Sequence, residues 1–147
     1  MWKTLIVALT TITLSAHAEQ DVLIAAQVAK TGLTQAQAQQ VLRVVLKHLR
    51  FNLNKEGMLI DGDISGSNGQ PMRPGYIDFA LTYDTPTAAA TDVLGTYSVD
   101  MLTGDVLENT RCKRYRFAAL TRLQKAISAR TGVALPPQKV ALGQIGC

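Results

Sequence analysis

Hydrophobic and polar positions change period several times along this chain, and each change marks an element. Asp21 to Lys30 (DVLIAAQVAK) predicts a short helix, capped by Asp21 and ended at Thr31-Gly32. Thr34 predicts the start of a longer helix, roughly 35–52. Within it Ala38, Leu42, Val45, Leu49 and Leu53 recur at spacings of four, three, four and four, one buried stripe. Arg43, Lys47 and Arg50 point mostly elsewhere, and His48 falls beside the stripe as a structural edge residue.

The period then drops to two. Met58 to Ile64 reads as a strand, and Ser65 to Gly75 (SGSNGQPMRPG) as an irregular loop. Tyr76 to Tyr83 alternates, with Ile77, Phe79, Leu81 and Tyr83 on one face. Thr85 to Asp92 is a second loop. Val93 to Asp100 alternates again, Leu102 to Asp105 forms a turn, and Val106 to Glu108 is a short partner strand. Tyr97 to Leu107 is therefore a hairpin candidate. A last helix spans about 113–130, with Phe117, Leu120, Leu123 and Ile127 as its apolar stripe and Thr131-Gly132 as its stop. Pro136-Pro137 stiffens the tail behind it.

Strands grouped together with helices at the ends predict an α+β fold. N-terminal helices precede an antiparallel sheet of three to four strands, and a C-terminal helix packs on that sheet. With 147 residues, 47 % hydrophobic and 18 % charged, the chain is neither disordered nor a coiled coil.

Residues 1–18 have a separate logic. Met1-Trp2-Lys3 carries one positive charge, Thr4 to Ser15 is a mostly apolar run, and Ala16-His17-Ala18 places small residues at −3 and −1. That is the layout of a secretory signal peptide, and the run is too short and too threonine-broken for a membrane anchor. Residues 19–147 are then expected to form a single domain that is periplasmic or secreted, with no stable membrane insertion.

The export reading changes what the cysteines mean. Cys112 and Cys147 are the only two, and an exported chain meets an oxidising compartment, so one disulfide is expected. The alternative is a catalytic thiol, which needs a histidine base, and His48 is the sole candidate after residue 18.

Enzymatic signals are otherwise thin. The nucleophile elbow, the phosphate-binding loop and the zinc-protease helix are all missing from the sequence. Asp61 and Asp63 share one strand face, where they could hold a cation or work as an acid–base pair, but the favoured reading is a solvated strand end. We expect no catalytic residue, metal site or cofactor. The most concentrated chemistry is basic: Arg111, Lys113, Arg114 and Arg116, with Tyr115 among them, extended by Arg122, Lys125 and Arg130. Such a patch can grip phosphates, an acidic polymer or an acidic protein surface. Cations at the start of the last helix oppose its macrodipole, so they are not there to stabilise it.

Two stretches resemble known families. Leu23 to Ala38 resembles the first helix–turn–helix of HU-type histone-like proteins, and Thr103-Gly104-Asp105-Val106 the turn after the DNA-gripping arm of that family. The Gly-Phe-Gly-x-Phe hairpin of that family is replaced here by Gly75-Tyr76-Ile77-Asp78-Phe79. Tyr97 to Val106 resembles the strand–turn–strand hairpin of small exported PepSY and cystatin-like domains, and some immunity proteins against secreted toxins are similar in size, leader and layout. These resemblances imply binding rather than catalysis.

The expectation is an exported binding protein, an inhibitor or immunity-type protein acting on an envelope protein such as a peptidoglycan hydrolase or a toxin. Its contacts would come from the Ser65–Gly75 loop, the Thr85–Asp92 loop or the basic face. The rival is HU-like nucleic-acid or anionic-polymer binding through the basic patch. A hydrolase using Asp61 and Asp63 is a third reading.

Overall fold

The computed structural model describes residues 23, 25–62, 72–85, 87 and 90–147. Residues 1–18, the expected cap Asp21, Asp63, residues 65–71 of the first loop and residues 86, 88 and 89 of the second lie outside them. A 3₁₀ turn at Ala25–Gln27 leads to α1 (Gln35–His48). The strands β1 (Met58–Gly62), β2 (Tyr76–Asp84), β3 (Thr91–Asp100), β4 (Val106–Glu108) and β5 (Lys113–Arg114) follow, then α2 (Ala118–Thr131) and α3 (Gln138–Gln144). The strands form one antiparallel sheet in sequence order.

Local chemistry explains the boundaries. Thr34 Oγ accepts from the Gln37 N–H at 3.2 Å, and Gln37 Oε1 accepts from the Thr34 N–H at 2.9 Å. This reciprocal cap satisfies two N-terminal donors and fixes where α1 begins. Gly104 ends the β3–β4 turn at φ 68°, and a Cβ there would sit 2.6 Å from Ile127 Cδ1, so both conformation and packing demand glycine.

Register sorts the two faces of the sheet. Phe79 opposes Tyr97, Ile77 opposes Val99, and Val99 opposes Val106. These side chains meet Val41, Leu42 and Val45 of α1 and Leu120 and Ile127 of α2 in the main core. On the opposite face Ala141 and Ile145 pack on Tyr76 and Leu107 as a separate, smaller cluster. His48 stacks on Phe117 with ring centroids 3.8 Å apart, joining the end of α1 to the start of α2. Arg130 Nε donates to Val28 O at 3.2 Å near the other end, so the two helices run antiparallel.

The fold class is α+β, as the sequence pattern indicates, with three differences of detail. Of the segment 21–30, the described part holds only the single turn Ala25–Gln27, not a full helix. Residues 113–117 are extended rather than helical: Arg114 pairs with Leu107, the Tyr115 N–H donates to Val106 O at 3.1 Å, and Phe117 has φ −159°. The sheet therefore gains a fifth strand. The tail folds into α3 behind Pro136-Pro137, since Ala141 and Ile145, four apart, find Tyr76 and Leu107 to cover.

Candidate functional site

One end of the sheet gathers three connections around a cleft of about 270 Å³. Pro74 to Tyr76 come from the β1–β2 connection, Asp100 to Thr103 from the β3–β4 turn, and Val133 to Gln144 from the tail and α3.

Each wall is held by its own bonds. Asp100 Oδ1 accepts the N–H groups of Leu102 (2.8 Å) and Thr103 (3.0 Å), closing the turn on itself. The Met101 N–H donates to Gly75 O at 2.9 Å, and Thr131 Oγ donates to Leu102 O at 2.6 Å. Arg73 anchors the first wall: Nη1 donates to Asp78 Oδ1 at 3.0 Å and to Ser98 Oγ at 2.9 Å, while Ser98 donates to Asp78. The tail wall is fixed by the Cys112–Cys147 disulfide, which joins the β4–β5 turn to the last residue with Cα atoms 5.6 Å apart.

The lining is mainly apolar, with the Asp100 carboxylate and the Tyr76 ring in it. Burial first, then the Asp100 and Asp105 charges, push the Tyr76 phenol up to about 12, so it stays a neutral donor at physiological pH. Met72, Val133 and Val140 are exposed at this end of the fold, Val140 by 51 %. A concave apolar patch with a few fixed polar groups suits recognition of another protein's side chains. Its described lining residues include no Ser, Cys, Lys or His.

The five residues of the sequence-predicted basic patch separate. Arg111 is exposed and approaches Glu108 at 3.4 Å. Lys113 and Arg116 are exposed, Lys113 lying 5.0 Å from the Tyr115 ring centroid. Arg114 and Tyr115 are buried. Arg114 Nε donates to Asp105 Oδ1 at 2.9 Å, Nη2 lies 2.7 Å from Oδ2, and Nη1 donates to Pro136 O at 2.8 Å. Burial pushes the Asp105 carboxyl above its ordinary value, against the opposing pull of Arg114. Tyr115 donates to buried Glu108, and desolvation followed by that hydrogen bond drives its phenol far up. These two residues build the β4–β5 corner, so the accessible patch reduces to Arg111, Lys113 and Arg116. None of these cations lies in the first turn of a helix, because α2 starts at Ala118. The macrodipole argument for a partner therefore lapses.

Asp61 accepts from Thr82 Oγ at 2.8 Å. Among the described residues no group of three or more His, Cys, Asp or Glu side chains could hold a metal ion. No helix among them is long and apolar enough to cross a membrane.

The family model for the type VI secretion system (T6SS) immunity protein Tgi2PP matches residues 32–138, which hold α1, the whole sheet, α2 and two walls of the cleft. This chain belongs to that immunity-protein family. The chain is also similar to a solved structure, described as a type VI secretion system effector–immunity complex from Pseudomonas protegens. The identity is 45 % and the TM-score 0.76, over 84 % of this chain and 98 % of that one. No curated protein sequence matches.

These findings correct the two resemblances drawn from short segments. The match across 32–138 places the chain among T6SS immunity proteins, and neither a PepSY/cystatin-like nor an HU-type likeness survives it. Leu23 to Ala38 lacks the HU helix–turn–helix, holding one 3₁₀ turn and the first residues of α1. Nucleic-acid binding of the HU kind falls with that likeness. The family is one of immunity proteins rather than enzymes, which leaves Asp61 and Asp63 without a hydrolytic role.

The cleft itself was not legible in the sequence. Its lining residues Pro74 and Tyr76, Leu102 and Thr103, and Val133, Pro136 and Val140 come from three distant segments.

Proposed function

We propose that this immunity protein neutralises a T6SS effector by binding it at the cleft end of the sheet, with Arg111, Lys113 and Arg116 steering the encounter. The observation that carries this reading is the family match, together with 45 % identity to a chain from an effector–immunity complex. The apolar rim supplies what a protein interface needs at its centre, and the exposed cations Arg111, Lys113 and Arg116 supply charge that acts at longer range on the encounter. The effector class that fits is an enzyme attacking the cell envelope, a peptidoglycan hydrolase in particular. The leader-like residues 1–18 would send the immunity protein to the periplasm, where such an enzyme works. Inhibition is steric: a bound domain blocks access to a polymeric substrate.

The test is kinetic. Val140→Asp in the rim should weaken binding of the cognate effector at least tenfold, mainly through faster dissociation. Arg111→Glu with Lys113→Glu should instead slow association and flatten its salt dependence. Unchanged rates in both variants would place the interface elsewhere.

A further inference from the structure

The charge on this molecule is segregated by layer. The helices α1, α2 and α3 contain no Asp or Glu. All described side-chain carboxylates lie in the sheet, its turns or the loop entering β1, with Glu56, Asp61, Asp84 and Asp92 exposed there. On the helix layer Lys47, Arg50, Arg116, Arg122, Lys125 and Arg130 are exposed. Formal net charge is only +4, so it is this sorting, more than the total, that creates a strong local field.

We propose that the α1–α2 layer is an electrostatic docking face for an anionic phospholipid bilayer, holding the protein at a membrane while its cleft end stays free. Three observations select a bilayer over a protein partner. The exposed cations run along α2 (Arg122, Lys125, Arg130) and continue at the adjoining end of α1 (Lys47, Arg50) and at Arg116 before α2, which matches a broad charged plane. Among the described residues the large exposed apolar side chains (Leu59, Met72, Val93, Leu94, Val133, Val140) lie off α1 and α2, so the described part of this face has none of the apolar anchors of a protein interface. The apolar stripe of α1 is buried against the sheet, so the contact is adsorption to headgroups without insertion. The carboxylates of the strands lie roughly one helix diameter, about 10 Å, farther from a surface docked on α2 than the cations of that helix, so their repulsion is the weaker contribution.

The experiment uses purified protein with its disulfide intact and two kinds of vesicle. One is pure phosphatidylcholine, the other contains one-quarter phosphatidylglycerol. Binding is expected only to the anionic vesicles, and raised salt should release it. Each basic side chain near the surface strengthens such binding roughly fivefold, so Arg122→Glu with Lys125→Glu should weaken it at least about twenty-five-fold. Lys47→Glu, on the other helix, should weaken it as well. Effector affinity should not change in any of these variants, which separates this proposal from the reading of the cleft. Binding to both vesicle types, salt-resistant binding, no binding, or variants that keep wild-type vesicle affinity would each overturn it. Loss of effector affinity with vesicle binding intact would also overturn it, making the face part of the effector interface.

Discussion

Arg114→Ala should destabilise the protein by about 3–5 kcal/mol, the largest single effect expected outside the core. The guanidinium and the Asp105 carboxylate are 1 % and 0 % exposed as side chains and meet through two parallel contacts. Removing the cation strands a buried carboxylate, and Gln124 Nε2, 3.4 Å away, is a poor substitute. The variant should also respond to pH with a defined sign. The Asp105 folded pKa already lies above its ordinary value through burial, and losing Arg114 raises it further. A raised carboxyl contributes stability below its unfolded pKa and loses it as pH rises through the folded pKa. The deficit of the variant should therefore narrow on mild acidification, read by chemical denaturation at several pH values. The double variant Arg114→Met, Asp105→Leu should recover most of the loss, because an apolar pair of similar volume needs no charge compensation. If the single variant costs less than about 1 kcal/mol, the pair does not hold the β4–β5 corner.

The second large effect belongs to the disulfide. Cys112 and Cys147 are 35 positions apart, and closing a loop of that size contributes about 3–4 kcal/mol in the chain-entropy description. A helix of seven residues is unstable alone, and α3 is docked through Ala141 and Ile145 on Tyr76 and Leu107. Cys147→Ser should therefore release the tail, lower Tm by roughly 10 °C and open one wall of the cleft. Amide exchange should accelerate across 138–145 while α1 and β2 keep their protection. Equal protection of α3 in the reduced and oxidised protein would show that the small cluster suffices without the bridge.

Local signals carried most of the fold. Thr34 and Gln37 form their reciprocal cap within one turn, Ile77, Phe79, Leu81 and Tyr83 alternate along the sequence of β2, and the Thr103-Gly104 turn sits between complementary strands, so these elements are readable from neighbours in sequence. The failures were tertiary. Lys113–Arg114 has helical neighbours downstream, yet the strand pairing with β4 and the charge of Asp105 draw it into the sheet. Arg114 and Tyr115 looked like surface chemistry because nothing in a run of basic residues reveals that one faces a buried carboxylate nine residues earlier. The helix α3 depends on Tyr76 and Leu107, which no local periodicity connects to it. The cleft proposed as the binding end was hidden for the same reason. Its rim is a meeting of the β1–β2 connection, the β3–β4 turn and the tail, and the tail is placed there by a bond to Cys112.

The split between an apolar, concave end and a cationic helix layer has a functional consequence. Effector capture at the cleft and surface residence through Lys47, Arg122 and Lys125 would use different residues, so each can be removed without the other.

The most direct measurement is survival of cells that direct the cognate effector to their periplasm while producing this protein with its residues 1–18. The account predicts full growth with the wild-type protein, lysis with Val140→Asp, and lysis when residues 2–18 are deleted and the protein stays in the cytosol. Lysis in the presence of correctly exported, disulfide-bonded wild-type protein would contradict it.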